Sequence, residues 1–166
     1  MLSQRHNSRP SRTTSQRGFS LIELLIVVAI IGIIAAIAIP NLLASRRAAN
    51  EASAISAVRT LSSAEESYRS TLGGGISFTD LNGLLEHQMV DKSLGTATAA
   101  PRAKSGYIYS VITIDSGAGF CAGTAPTTAN AGTRNFSSDT PGVIYVHPLS
   151  VATPPTSTAS GIPLNN

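Results

Sequence analysis

The order of apolar and polar positions divides the chain into three regimes. From Phe19 to Ile39, 21 residues carry a single charge, Glu23. At about 1.5 Å rise per residue, a helix of that length reaches roughly 30 Å, the thickness of a hydrocarbon core. Beyond Pro40 the spacing changes. Leu42, Leu43, Ile55, Val58, Leu61, Tyr68 and Leu72 keep mostly to three- and four-residue intervals, with Ala48, Ala49 and Ala52 between them. This predicts a long amphipathic helix with Arg, Asn, Glu and Ser on its other side, and its stripe needs a sheet or other helices to cover it. Gly73-Gly74-Gly75 then predicts a helix stop and hinge. No strand precedes the triplet and no Lys-Ser/Thr follows it, so it is not a phosphate loop.

In the third regime the period shortens. Thr79 to His87 reads as a short capped helix or turn with Thr79 as N-cap, and residues 95–105 as a small polar surface loop. Gly106 to Ile114 is rich in β-branched and aromatic residues and predicts a strand; Asp115 to Gly119 predicts a turn, and Phe120 to Ala122 a short return strand. Residues 134–138 and 143–146 form a second hairpin candidate around Asp139-Thr140-Pro141-Gly142. Pro at the third turn position suits few turn types, which predicts a loop longer than four residues. The stretch Val151 to Ser160 is rich in Ser, Thr and Pro and reads as disordered or as an extended surface arm, with O-glycosylation as a further reading. One long helix followed by an antiparallel sheet of three or four strands is an α+β arrangement.

Charge alters this picture in one place. The 166 residues include 12 Lys and Arg and 9 Asp and Glu, a formal net charge of +3. Arg5, Arg9, Arg12 and Arg17 all precede the apolar run, and no acid accompanies them. Without them the remainder is slightly acidic, so the basic balance belongs to the N-terminal tail and implies no specific nucleic-acid surface. Arg46 and Arg47 follow the run. The excess of Arg before it favours a cytoplasmic N-terminus and an exported body.

Chemistry is sparse. Cys121 is the single cysteine, which rules out an intrachain disulfide and predicts a half-buried strand residue. His6, His87 and His147 lack the neighbours of a zinc site, and Asp115 and Asp139 read as turn residues. No nucleophile elbow, carboxylate pair or dense oxygen run appears, so no catalytic residue, metal or cofactor is expected.

Glu23 sits badly with ordinary export segments. A secretory signal peptide cut after Ala36-Ile37-Ala38 has a shorter apolar core, and an uncut signal anchor gives no reason for a carboxylate that lipid disfavours. Gly18-Phe19-Ser20-Leu21-Ile22-Glu23, after a basic leader and before an apolar helix, resembles the class III signal of the type IV pilin-like family, which includes type IV pilins and the pseudopilins of type II secretion. Gly32 and Pro40 also fall where that family tends to have helix-loosening residues. The resemblance covers about residues 17–50. It implies a pilin fold and a prepilin peptidase that cuts between Gly18 and Phe19 and N-methylates Phe19. It also implies that Glu23 faces the N-terminal ammonium of a neighbouring subunit during assembly. Gly32 and Ala36, four apart, permit close helix approach. Pro40 removes a helical hydrogen bond and is expected to kink or loosen the helix. The single cysteine departs from pilins that close a C-terminal loop with a disulfide.

These readings give a leader over residues 1–18, a transmembrane and assembly helix over 19–40, an exported head over 41–150 and a tail over 151–166. The expected function is that of a structural, non-enzymatic subunit of a pilus (fimbrium) or pseudopilus. Its expected partners are prepilin peptidase, copies of itself and other pilins, an inner-membrane assembly platform, and membrane lipid before assembly. The expected location is the bacterial inner membrane, then a periplasmic or extracellular filament. An anchored periplasmic binding protein that never polymerises is the alternative.

Overall fold

The computed structural model describes residues 18–140 and 142–164. Residues 1–17, which include His6 and all but the last residue of the expected leader, lie outside them. The chain divides into two compact units between Ile39 and Pro40. One helix, α1, runs from Leu21 to Thr71 and so contributes to both. It stays helical through Gly32 and through Pro40, which leaves the expected loosening without a break in helical structure.

In the first unit, large apolar side chains are exposed around the whole helix. Phe19, Leu21, Ile22, Ile30, Ile33 and Ile37 are all more than half exposed. Among the described residues this is the one helix long and apolar enough to cross a membrane. An all-round apolar surface of that length is suited to lipid or to other helices.

In the second unit, the remaining length of α1 buries one stripe. Ala54, Ala57, Val58, Leu61 and Ala64 enter the core, with Ile55 and Tyr68 half-buried beside them. Leu42, Leu43 and Leu72, expected on that stripe, are exposed. The buried face also takes in Glu51 and Glu65. Both fall on the 51, 54, 58, 61, 65 spacing, so the expectation that glutamates fill the outer side is corrected at these two positions.

Helix α1 ends before the glycine triplet, where Gly74 and Gly75 adopt positive φ and Gly75 N–H donates to the Arg69 carbonyl. Helix α2 follows at Leu81–Glu86. Its N-cap is Asp80, not Thr79: an Asp80 carboxylate oxygen accepts the Gly83 N–H at 2.8 Å. The Thr79 N–H is committed instead to Glu65. A further short helix, α3 at Lys92–Gly95, is capped by Asp91. The expected surface loop at 95–105 therefore begins in a helix, and it buries Ala97 completely.

Five strands form an antiparallel sheet in chain order: β1 Tyr107–Ile114, β2 Gly119–Pro126, β3 Asn135–Asp139, β4 Ile144–His147 and β5 Ile162–Pro163. Strand β2 pairs with the full length of β1, from Gly119 opposite Ile114 to Pro126 opposite Tyr107, and is much longer than the expected Phe120–Ala122. All eight of its residues are buried. The core cluster joins α1 to the sheet through Phe120, Ala122, Tyr107, Tyr109 and Phe136. The C-terminal segment lies along β2's remaining surface. The Pro155 carbonyl occupies the space where a side chain on Gly123 would stand, so only glycine admits this approach.

That segment is an arm tied down along its length. Asn135 Nδ2 donates to the Ser150 and Thr153 carbonyls, Ala152 N–H donates to Pro126, and Leu164 N–H donates to Ile144. Residues 162–163 add the fifth strand beside β4. Between β3 and β4, the Gly142 N–H donates to the Asp139 carbonyl at 2.7 Å, within a connection running from Ser138 to its partner Ile144.

Candidate functional site: the start of the apolar helix

Gly18, Phe19 and Ser20 are exposed and precede α1 in non-helical backbone. No atom lies within 4 Å of where a Gly18 side chain would begin. The first helical hydrogen bond runs from Leu24 N–H to the Ser20 carbonyl at 3.1 Å. The Gly18–Phe19 bond thus sits just outside the helix, in exposed non-helical backbone.

Glu23 occupies the first turn of α1, where unpaired N–H groups give the helix end a partial positive charge that favours a carboxylate. Its side chain makes no ion pair or hydrogen bond within the described residues. Phe19 is 70% exposed, and Gly32 and Ala36 lie open on the helix surface with nothing packed against Gly32. The structure therefore places Glu23, Gly32, Ala36 and Pro40 on helix α1, with Phe19 just before its first residue.

The head treats its acids differently. Glu51 Oε1 accepts from the N–H and hydroxyl of Thr133 at 2.8 and 2.6 Å, and Oε2 accepts from Arg134 Nε and NH2 at 3.1 and 2.7 Å. Burial pushes this carboxyl up, but the Thr133 and Arg134 bonds outweigh it and hold the group below its ordinary value. The clamp fixes α1 to the connection between β2 and β3. Sequence reading missed it, although Glu51's place three residues before Ala54 on the buried stripe was a usable signal.

The other reactive types are enclosed. Cys121 is 2% exposed in β2, deeper than expected, and burial followed by the nearby Asp139 charge pushes its thiol up to about 11. His147 is buried at the end of β4, with Nε2 2.6 Å from the Ser137 hydroxyl, and burial holds it below its usual value. Ser137 is wholly buried, so this pair holds the sheet and presents no nucleophile. Among the described residues no group of three or more His, Cys, Asp or Glu is placed to hold a metal ion.

The described residues thus combine a helix long and apolar enough to cross a membrane with an α+β head. The family described as the prokaryotic N-terminal methylation motif matches residues 13–39. The chain is 69% identical over 35 residues to the type IV wide pilus major component PilA4 of Thermus thermophilus; that match covers 21% of this chain and 27% of the relative. It is 37% identical over 57 residues to the type II secretion system core protein G of Escherichia coli, covering 34% and 39%. It is 50% identical over 52 residues to the type IV major pilin protein PilA of Myxococcus xanthus, covering 31% and 24%. The chain thus spans about a quarter to two fifths of the lengths of these relatives. No solved structure gives a significant match. Over a fifth to a third of its length the chain is thus similar to type IV pilins and to a type II secretion core protein.

Proposed function

We propose that this chain is a structural subunit that polymerises through its N-terminal helix into a type IV pilus or a type II secretion pseudopilus. Cleavage between Gly18 and Phe19 by a prepilin peptidase releases residues 1–18 and exposes a new amine on Phe19, which the same enzyme methylates. Residues 19–40 hold the subunit in the inner membrane with its N-terminus cytoplasmic and the head, with its tail, exported. They then pack against copies of this chain and other pilins on an assembly platform. The protein acts by assembly and carries out no reaction of its own.

The observation that supports this reading best is Glu23. It stands in an apolar segment with no partner among the described residues, and an isolated carboxylate within a membrane costs a few kcal/mol. The amine that cleavage creates at Phe19 is the nearest opposite charge by sequence, and a neighbouring subunit offers the same group in any axial stack. An ammonium within hydrogen-bond reach of Glu23 lowers the penalty for both charges. Assembly is thereby favoured over dispersal in lipid, and the pairing fixes axial register. Gly32 and Ala36 supply a surface on which two helices approach closely, and Pro40 has no N–H to lose if the helix loosens around it.

Expression of the full chain with a prepilin peptidase tests this reading. The expected product starts at N-methylated Phe19 by mass spectrometry and sediments as sheared filaments. A mature chain with the Gly18–Phe19 bond intact, or a correctly cut chain that stays monomeric, overturns it.

A further inference from the structure

Glu65 stands apart from the other acids of the head. It is completely buried on the core-facing stripe of α1. One oxygen accepts the Thr79 N–H at 3.1 Å, and the other, also buried, has no hydrogen-bond partner. Among the described residues no cation pairs with it. Arg69, four residues further on the same helix and so the natural partner, points its guanidinium at Glu66, 2.8 Å away, and lies 5.5 Å from the Phe78 ring centre. The other charged groups on the adjoining elements offer nothing better. Glu66 on α1 and Asp80 on the connecting segment are acids that disfavour its ionisation. Asp115 belongs to the β1–β2 turn, whose Gly117 carbonyl accepts the Phe78 N–H. His87, after α2, rests its ring on Tyr68 at 5.5 Å. A carboxylate so placed is much more stable with its proton on.

The Thr79 bond joins α1 to the segment that leads from it to α2. That segment starts at the Gly74–Gly75 pair, whose positive φ values suit a hinge. It is held besides by the Phe78 ring, 5.0 Å from Phe120 and 5.5 Å from the Arg69 guanidinium, by the Phe78–Gly117 backbone bond, and by the turn in which Ile76 and Ser77 N–H donate to the Gly73 carbonyl. Leu72 and Ile76 are already 53% and 71% exposed.

We propose that Glu65 is a proton-controlled latch: protonated, it holds residues 76–80 against α1, and ionised, it leaves its pocket and frees Phe78 and Thr79. The released segment then presents Ile76 and Phe78 together as an apolar surface beside Leu72. The latch belongs to the head alone and stands whether or not the subunits assemble.

The direction follows from linkage. Burial, against the lowering effect of the Thr79 bond and with the Asp80 and Glu66 charges adding to it, raises the Glu65 carboxyl from 4.5 to about 7. The closed form therefore holds the proton more tightly than the open form. Its advantage is complete below the ordinary carboxylate value, falls as pH rises, and reaches its floor just above about 7. Between pH 5 and pH 8.5 the open population rises roughly a hundredfold.

Hydrogen–deuterium exchange on the mature full chain in detergent micelles reads this directly. Corrected for intrinsic exchange, opening of residues 76–80 is expected to rise roughly a hundredfold over that pH span, while β2 keeps its protection. Glu65→Gln, which still accepts from Thr79 but cannot ionise, is expected to show no such rise. Flat exchange in the unaltered protein, the same rise in Glu65→Gln, or β2 opening in step with residues 76–80 each overturns the latch. Should Glu65→Gln fail to fold, infrared spectra of the unaltered chain decide: a protonated-carboxyl band at pH 6 that disappears by pH 8.5 supports the proposal, and its absence at pH 6 overturns it.

Discussion

Glu23 and Glu51 lie on one helix, and their surroundings are opposites. Around Glu51 the chain brings four donor groups from Thr133 and Arg134, so a nearly buried charge is satisfied within the subunit. Around Glu23 there is an apolar surface on every side and no donor from the described chain. Two halves of α1 thus follow different rules. The head half buries a narrow stripe and supplies partners for whatever charge falls on it; the N-terminal half exposes all its faces and leaves its charge open. A protein complete in itself has no use for the second arrangement. It becomes intelligible if the missing partner belongs to another molecule.

Replacing Glu23 is the most direct way to break this contrast. Glu23→Ala is expected to leave cleavage after Gly18 intact and to lower filament yield at least tenfold, because the Phe19 ammonium of a neighbouring subunit then has no counter-charge and an unpaired charge in lipid costs a few kcal/mol. Sheared filaments weighed against membrane-retained subunit give the measurement. Normal assembly of Glu23→Ala means that the apolar surface alone drives packing and that the carboxylate has another role.

The corresponding change in the head has a different signature. Glu51→Ala strands the Thr133 N–H and leaves Arg134 unpaired, with an expected loss of about 2 kcal/mol in head stability. Arg134→Ala leaves both Thr133 bonds in place and removes a guanidinium that is nearly half exposed, so about 1 kcal/mol or less is expected. Denaturant unfolding of the mature chain in micelles, followed by tyrosine circular dichroism, gives both values. Since Glu51's carboxyl is held below its ordinary value, its contribution is present above that value and is lost as pH falls through the folded one. Equal losses for the two variants would mean that the clamp acts through charge alone.

These two acids also show how far the amino-acid order could be read. The rod is legible because 21 apolar or small residues with one charge admit few alternatives. The methylation motif at its start is legible because Gly18 to Glu23 forms one contiguous six-residue pattern. The head was legible as a helix followed by hairpins, since helical and strand periods are local properties. What escaped was non-local. The spacing of Glu51 and Glu65 puts them on the stripe, but only the fold shows that Thr133, Arg134 and Thr79 meet them there. Strand β2 was read too short because Gly123, Ala125 and Pro126 have weak strand propensity. Burial by α1 on one side and the C-terminal arm on the other overrides that preference. Thr79 and Asp80 are both good capping residues, and one residue of register separates the right assignment from the wrong one.

Gly123 offers a way to disturb the head without touching the rod. A methyl group there meets the Pro155 carbonyl, which is backbone and cannot swing aside. Gly123→Ala is expected to lift the arm from β2 and lower stability by about 2 kcal/mol. Faster exchange of the Ala152 and Leu164 amides, which donate to Pro126 and Ile144, marks the detached arm. Cleavage at Gly18 is expected to proceed unchanged. A variant whose cleavage fails would show that the two regions depend on each other in a way the contrast does not contain.

The smallest expected effect probes the same contrast at the N-terminus of α2. Asp80 caps this helix through the Gly83 N–H, and its charge also disfavours ionisation of Glu65. Asp80→Ala removes both, and Asp80→Asn keeps a capping acceptor while removing the charge. At pH 5, where Glu65 holds its proton, only the cap matters: Asp80→Ala is expected to lose about 1 kcal/mol and Asp80→Asn almost nothing. At pH 8 Glu65 is largely ionised, and removing a neighbouring negative charge offsets part of the loss. Asp80→Asn is then expected to be slightly more stable than the unaltered protein, with Asp80→Ala falling between its pH 5 loss and zero. A penalty for Asp80→Ala that is the same at both pH values would separate Asp80 from Glu65. The head would then satisfy its acids one at a time, as it does at Glu51.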